Sequence, residues 1–171
     1  MNTAVHLLQD IRRACRAAGR LGRDELIGIA VARGCRHYAA FVPPELVNDR
    51  PDIPHEVLGC ALLAGPQDVE TFRAIRVGAM ILSDAGNSAH TMADAADAFG
   101  VTARLLHIAR VGAEADNRPD FWRDVLAHLP ATDSASEARF LPNASRFSVE
   151  NRLNGHGRGA DRVWLHTNYR R

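Results

Sequence analysis

Apolar residues recur every three or four positions through the first 130 residues of the chain, the period of helices that each bury one face. Over residues 3–18, Leu7, Leu8, Ile11, Ala14, Cys15 and Ala18 fall on one arc of a helical wheel, and Arg12, Arg13 and Arg16 on the opposite arc. Val5 alone lies on the arginine side, and Gly19 and Gly22 break the pattern. Asp24 is placed to cap a second helix over residues 25–37. Its Leu26, Ile27, Ile29, Ala30 and Val31 make an apolar turn on all sides, as expected of a central helix.

Val42-Pro43-Pro44 and Asn48-Asp49-Arg50-Pro51 mark a loop with room for one short helical turn. Asp52 is then placed to cap a third helix carrying Val57, Leu58, Ala61, Leu62 and Leu63, ending before Gly65. Four more helices are predicted over residues 67–83, 88–99, 102–111 and 119–129, with Gly100 separating the middle two and Pro130 ending the last. No repeat period emerges, so an irregular all-α bundle of about seven helices is expected rather than a solenoid.

The character changes near residue 131. Residues 131–138 read as a polar linker, leaving 1–130 as the bundle and 139–171 as an arginine-rich end. Residues 146–153 and 162–169 alternate as strands do, around the glycine-rich run Asn154-Gly155-His156-Gly157-Arg158-Gly159. A small C-terminal β-hairpin packed on the bundle is expected, with an extended basic tail as the alternative.

Composition sharpens this picture at one point. All 21 basic residues are arginine, so each basic site is a planar fork suited to carboxylate and phosphate. A GC-rich genome is the plain source of such a bias. The net charge of +1 conceals an asymmetry. Residues 1–40 hold seven arginines against three acids, residues 139–171 seven against two, and residues 41–138 seven against fifteen. Either the basic ends fold back on the acidic middle, or they face an external anion such as nucleic acid. No apolar run approaches the ~18 residues of a membrane span. The first basic residues follow the short N-terminal apolar stretch, the reverse of a secretory signal. Cys15, Cys35 and Cys60 are odd in number, lack CxxC spacing and sit among apolar neighbours. They point to packing in a reducing cytoplasm rather than to disulfides or zinc. Without a secretion signal the Asn143-Ala144-Ser145 sequon carries no weight.

Four patterns bear on chemistry. Ala95, Ala96, Phe99, Gly100, Val101, Leu106 and Ala109 stand where a helix-turn-helix places small, turn and buried residues, and the stretch 92–111 resembles that motif. Its second helix departs from a DNA reader, because Thr102, Arg104 and His107 alternate with Leu105 and Ile108. Gly155, Gly157 and Gly159 could cradle a phosphate beside His156 and Arg158, although the spacing matches no established phosphate loop and suits a hairpin turn. His90, Asp94 and Asp97 share one helix face, and His55-Glu56 opens another helix; the first trio is a conceivable metal set and equally an ordinary solvated face. His6, His37, His107 and His128 lie among apolar residues and read as core or boundary positions. No catalytic signature, cofactor motif or zincin spacing occurs.

The broadest pattern is at the ends. Arg12, Arg13 and Arg16 share a helix face, while Arg146, Arg152, Arg158, Arg162 and Arg170 crowd the tail with Trp164 and Tyr169 among them. Arginine interleaved with aromatics suits backbone-reading or single-strand surfaces. The sequence therefore leads to a small, non-enzymatic cytoplasmic binding module, without cofactor, whose arginine-rich ends engage nucleic acid or an acidic protein surface. The alternative is a helical adaptor or homo-oligomer with no nucleic-acid role. A third reading is a small metal-dependent enzyme with a site near His55, Glu56 and His90.

Overall fold

The computed structural model describes residues 3–65, 69–84, 86–115 and 118–131. Among these residues there are seven α-helices and no strand: α1 (Thr3–Ala18), α2 (Arg23–Ala32), α3 (His55–Leu63), α4 (Val69–Leu82), α5 (Ala89–Ala98), α6 (Thr102–Ala115) and α7 (Pro119–His128). Two 3₁₀ turns, Arg36–Phe41 and Pro44–Leu46, bridge α2 to the loop before α3. The all-α bundle expected from the sequence is thus the observed fold. The C-terminal hairpin, Arg146, Arg152, Arg158, Arg162, Arg170, Trp164 and Tyr169 all lie outside the described residues.

The enclosed element is α3, not α2. Residues 57–63 are buried without interruption, and α3 packs against α1, α2, α4, α5 and α6. Helix α2 ends at Ala32, well short of residue 37, and lies on a flank against α3 and α4. Its all-round apolarity has a local cause, because the 3₁₀ turns cover the side that α3 and α4 leave open. At Gly28 the cover is so close that a Cβ would stand 2.0 Å from the Leu46 carbonyl oxygen. A central position and a side covered by turns leave the same signature in sequence.

Close backbone approach sets the rest of the core. Helices α3 and α4 meet at Gly59 and Gly78, where a Cβ on Gly78 would come within 2.8 Å of the Gly59 carbonyl. Trp122 of α7, fully buried, lies across Gly112 of α6 with ring atoms 2.5 Å from the position a Cβ would occupy. Alanine at Gly112 would overpack this contact and cost about 1–3 kcal/mol.

The helix starts divide into two groups. Ser88 caps α5 as a short polar side chain should, its Oγ accepting from the Thr91 backbone N–H at 3.3 Å, and Pro119 opens α7 at a position where a missing N–H costs nothing. Asp24 and Asp52 cap nothing. Gly22 is the N-cap of α2, with the Glu25 carboxylate accepting from its N–H at 2.7 Å, and Pro54 precedes α3. Asp52 instead pairs with Arg50 at 3.0 Å. The α5–α6 turn runs through Gly100 at φ +66, a left-handed residue that glycine reaches without strain.

Candidate functional site

On α1 the arginine arc is real and faces outward. Arg12, Arg13 and Arg16 are all exposed, and Arg20, just beyond the helix end, is exposed too. Arg12, Arg16 and Arg20 are spaced four residues apart, about 6 Å of rise per step, which aligns the first two along one edge of the helix. Like charges at this spacing repel, so the row weakens the isolated helix slightly. Arg13 has a local partner, Asp10 at 3.6 Å, with both side chains largely in water. Neither Arg12 nor Arg16 forms an ion pair with any described residue.

The opposite edge of α1 is less simple than its pattern. Ile11, Ala14, Cys15 and Ala18 are buried, as read from the sequence, whereas Leu7 is 49% exposed and Leu8 38%. The apolar arc therefore runs beyond the core that α3 and α5 offer it.

Two arginines elsewhere, Arg33 and Arg104, are committed to the fold. Arg33, at the end of α2, donates through Nε to Asp49 Oδ1 at 2.7 Å and through Nη2 to the Arg50 carbonyl at 2.7 Å. Its hydrogen bond holds the Asp49 carboxyl below the ordinary carboxylate range. One arm of the basic N-terminal region thus does fold onto the acidic middle. Arg104 of α6 donates to the carbonyls of Leu63 and Gly65, covering the C-terminal end of α3, and burial lowers its pKa from the ordinary value. In this second helix of the helix-turn-helix-like segment, Thr102, Arg104 and His107 are all half-buried, so the polar residues of its first two turns are partly withdrawn from solvent, while Arg110 and Glu114 further along are exposed. That partial burial opposes a base-reading role.

The imidazole and carboxylate candidates arrange themselves differently from the sequence trio. His90 Nε2 lies 3.5 Å from Asp94, and the ring facing it belongs to His128 of α7, at a centroid separation of 5.8 Å. Of the core and boundary positions read from the sequence, His128 takes the outer one: its side chain is exposed at the edge of α7, and its Nδ1 sits 2.8 Å from the Asp124 carbonyl. Asp97 is exposed and forms no ion pair with a described residue. Residues His55 and Glu56 part company. His55 lies near enough to Asp49 to influence its titration, while Glu56 accepts from the Ser88 N–H at 2.8 Å, where a carboxylate favours the start of α5. Among the described residues no three His, Cys, Asp or Glu side chains are grouped to hold a metal, so His55, Glu56 and His90 do not form the metal set of the third reading.

All three cysteines are buried, and none forms a disulfide among the described residues. Burial pushes the thiols of Cys15 and Cys60 up, which disfavours the reactive thiolate. They are core residues.

One concavity adjoins the arginine row. A cleft of about 340 Å³ opens where the α1–α2 turn meets the ends of α3 and α5. Its walls include Ala18, Leu26, Ala61 and Ala74, with Phe99 and Arg23 among the remaining lining residues. Nothing in the chain's hydrophobic pattern announces it, since each helix contributes only one or two residues. No helix among the described residues is long and apolar enough to cross a membrane. Comparison with known proteins returns no matching family model, no matching curated protein and no matching solved structure.

Proposed function

We propose that this protein is a small helical binding module for an anionic partner, with the backbone of nucleic acid as the first class to test. The observation that carries the reading is the exposed row on α1. Arg12 and Arg16 stand on one helix edge without an acidic partner among the described residues, while Arg33 and Arg104 are engaged internally. A fork-shaped cation that is not needed by the fold is available to a phosphate. Arg13 and Arg20 widen the same surface. The tail arginines Arg146, Arg152, Arg158, Arg162 and Arg170, with Trp164 and Tyr169, supply a second basic segment in this reading. Such contacts fix a backbone and read no bases.

Fluorescence anisotropy of labelled single- and double-stranded DNA and RNA, repeated across salt concentrations, tests this directly. Affinity falling log-linearly with salt is the expected result. Absence of binding at low salt would overturn the nucleic-acid reading and leave an acidic protein surface as the partner to pursue.

A second reading rests on Leu7 and Leu8. Two large apolar side chains left in water at the start of α1 suit a homo-oligomer or adaptor contact. Gel filtration and light scattering distinguish it: a stable dimer that Leu7→Gln and Leu8→Gln dissociate, combined with no nucleic-acid affinity, is its signature.

A further inference from the structure

We infer that the cleft between the α1–α2 turn and the end of α3 is a binding site for a small apolar carboxylate, a short aliphatic or aromatic acid. This site is separate from the outward arginine row and does not depend on it.

Size comes first. At about 340 Å³ the cleft falls in the lower part of the range of small-molecule sites, roughly 300–1,000 Å³. Chemistry narrows the occupant further. Ala18, Ala61 and Ala74 are almost wholly buried, and Leu26 and Leu62 add apolar wall. The space exists because small residues meet where helix ends converge. An apolar body placed here would leave water, which favours its burial in proportion to the area covered.

The electrostatics favour an anionic head. Arg23 is the one charged residue among the described lining residues, and no acid is among them. Arg23 already engages another group, but its five N–H donors leave capacity for a carboxylate beside it. The C-terminal end of α3, represented in the lining by Ala64 and Gly65, would ordinarily repel an anion through its unsatisfied carbonyls. Arg104 removes that obstacle by donating to the carbonyls of Leu63 and Gly65. Of the two carboxylates that follow Arg23 in sequence, Glu25 accepts from the Gly22 N–H, and Asp24 is exposed and not among the lining residues. A neutral apolar ligand would use the walls and forgo Arg23; an acid uses both.

Titration of the ¹⁵N-labelled full chain with sodium octanoate, and separately with n-octanol, tests the assignment by NMR. Saturable shifts centred on the amides of Gly19, Leu21, Ala64 and Gly65 are expected, with octanoate the tighter ligand. Arg23→Gln should weaken octanoate about fivefold, a partly exposed charge contact, and leave octanol unchanged. Ala61→Leu places a branched side chain in the space and should abolish both while the melting transition is retained. Should that variant fail to fold, Ala64→Leu at the half-buried mouth serves the same purpose. Shifts confined to Leu7, Leu8, Phe41 or Val47, or no saturation at all, would overturn the site. Equal response of octanoate and octanol to Arg23→Gln would overturn the carboxylate assignment. Because nucleic-acid anisotropy reads Arg12 and Arg16 and this titration reads Arg23 and Ala61, either proposal can fail alone.

Discussion

Arg104 on α6 and Arg16 on α1 are the same side chain on helices of similar length, yet their surroundings give them opposite work. Arg104 is half-buried and donates to two carbonyls that the end of α3 would otherwise leave unsatisfied. Arg16 projects into water beside Arg12, and neither forms an ion pair with a described residue. Around α3 the charge is consumed by backbone and carboxylate acceptors, as at Arg33 and Asp49. Along α1 it is held outward, at a small cost to the helix itself. A lysine-free chain must use arginine for both jobs, so composition alone cannot separate a structural fork from an available one. The acceptors within reach make that separation.

The contrast predicts a graded set of effects. Replacing Arg104 with Met should be the most damaging change, because it strands the part-buried Leu63 carbonyl, while the exposed Gly65 carbonyl can turn to water; a loss of about 2 kcal/mol is expected in urea unfolding. The same variant should bind nucleic acid with an unchanged salt slope. If it lost affinity while keeping its stability, the division between the two arginine classes would collapse.

Asp49→Asn should cost less, about 1 kcal/mol at neutral pH, since its carboxylate is exposed and solvent screens the pair. Asp49 has a lowered pKa through its hydrogen bond from Arg33, so its contribution is present above the unfolded carboxylate value and lost as pH falls through the folded one. Thermal melts of wild type and Asp49→Asn, taken from about pH 7 down to pH 2, should therefore converge in acid. A gap that stays constant over that range would exclude Arg33–Asp49 as its source.

The smallest stability effect belongs to the double change Arg12→Gln and Arg16→Gln. It should lie within about 0.5 kcal/mol, with a slight gain expected from removing like charges four residues apart. Its salt slope for duplex DNA should nonetheless shrink by about 2, one counterion for each phosphate that is no longer neutralised. A marked stability loss with unaltered binding would instead show that α1's arginines are structural, like those around α3.

Much of the bundle is legible in the sequence alone. The bounds of α1 follow from glycines after a clean amphipathic run, and Ser88 and Pro119 start their helices where local chemistry says they should. Local rules fail where two side chains compete for one task. Asp24 and Asp52 are good capping residues by type, but Glu25 reaches back to Gly22 and Arg50 holds Asp52. Leu7 and Leu8 sit on the correct arc of α1, and their exposure depends on how far α3 and α5 extend beside them. For the chemistry, the outward direction of Arg12, Arg13 and Arg16 is readable from helical spacing. The meeting of His90 with His128 is not, because 38 residues and two turns separate them.

Helix content, the order of the elements and the outward arginine face of α1 were set by period, turn residues and charge, properties that neighbours in the chain share among themselves. The enclosure of α3, the capture of Arg104 by the end of that helix, and the cleft at the α1–α2 turn arise only when elements far apart in sequence meet. A helix carries its own hydrogen bonds and its own amphipathic face, so those are written locally. Which acceptor an arginine reaches, and which alanines are left facing a space, depend on packing partners that no local pattern specifies.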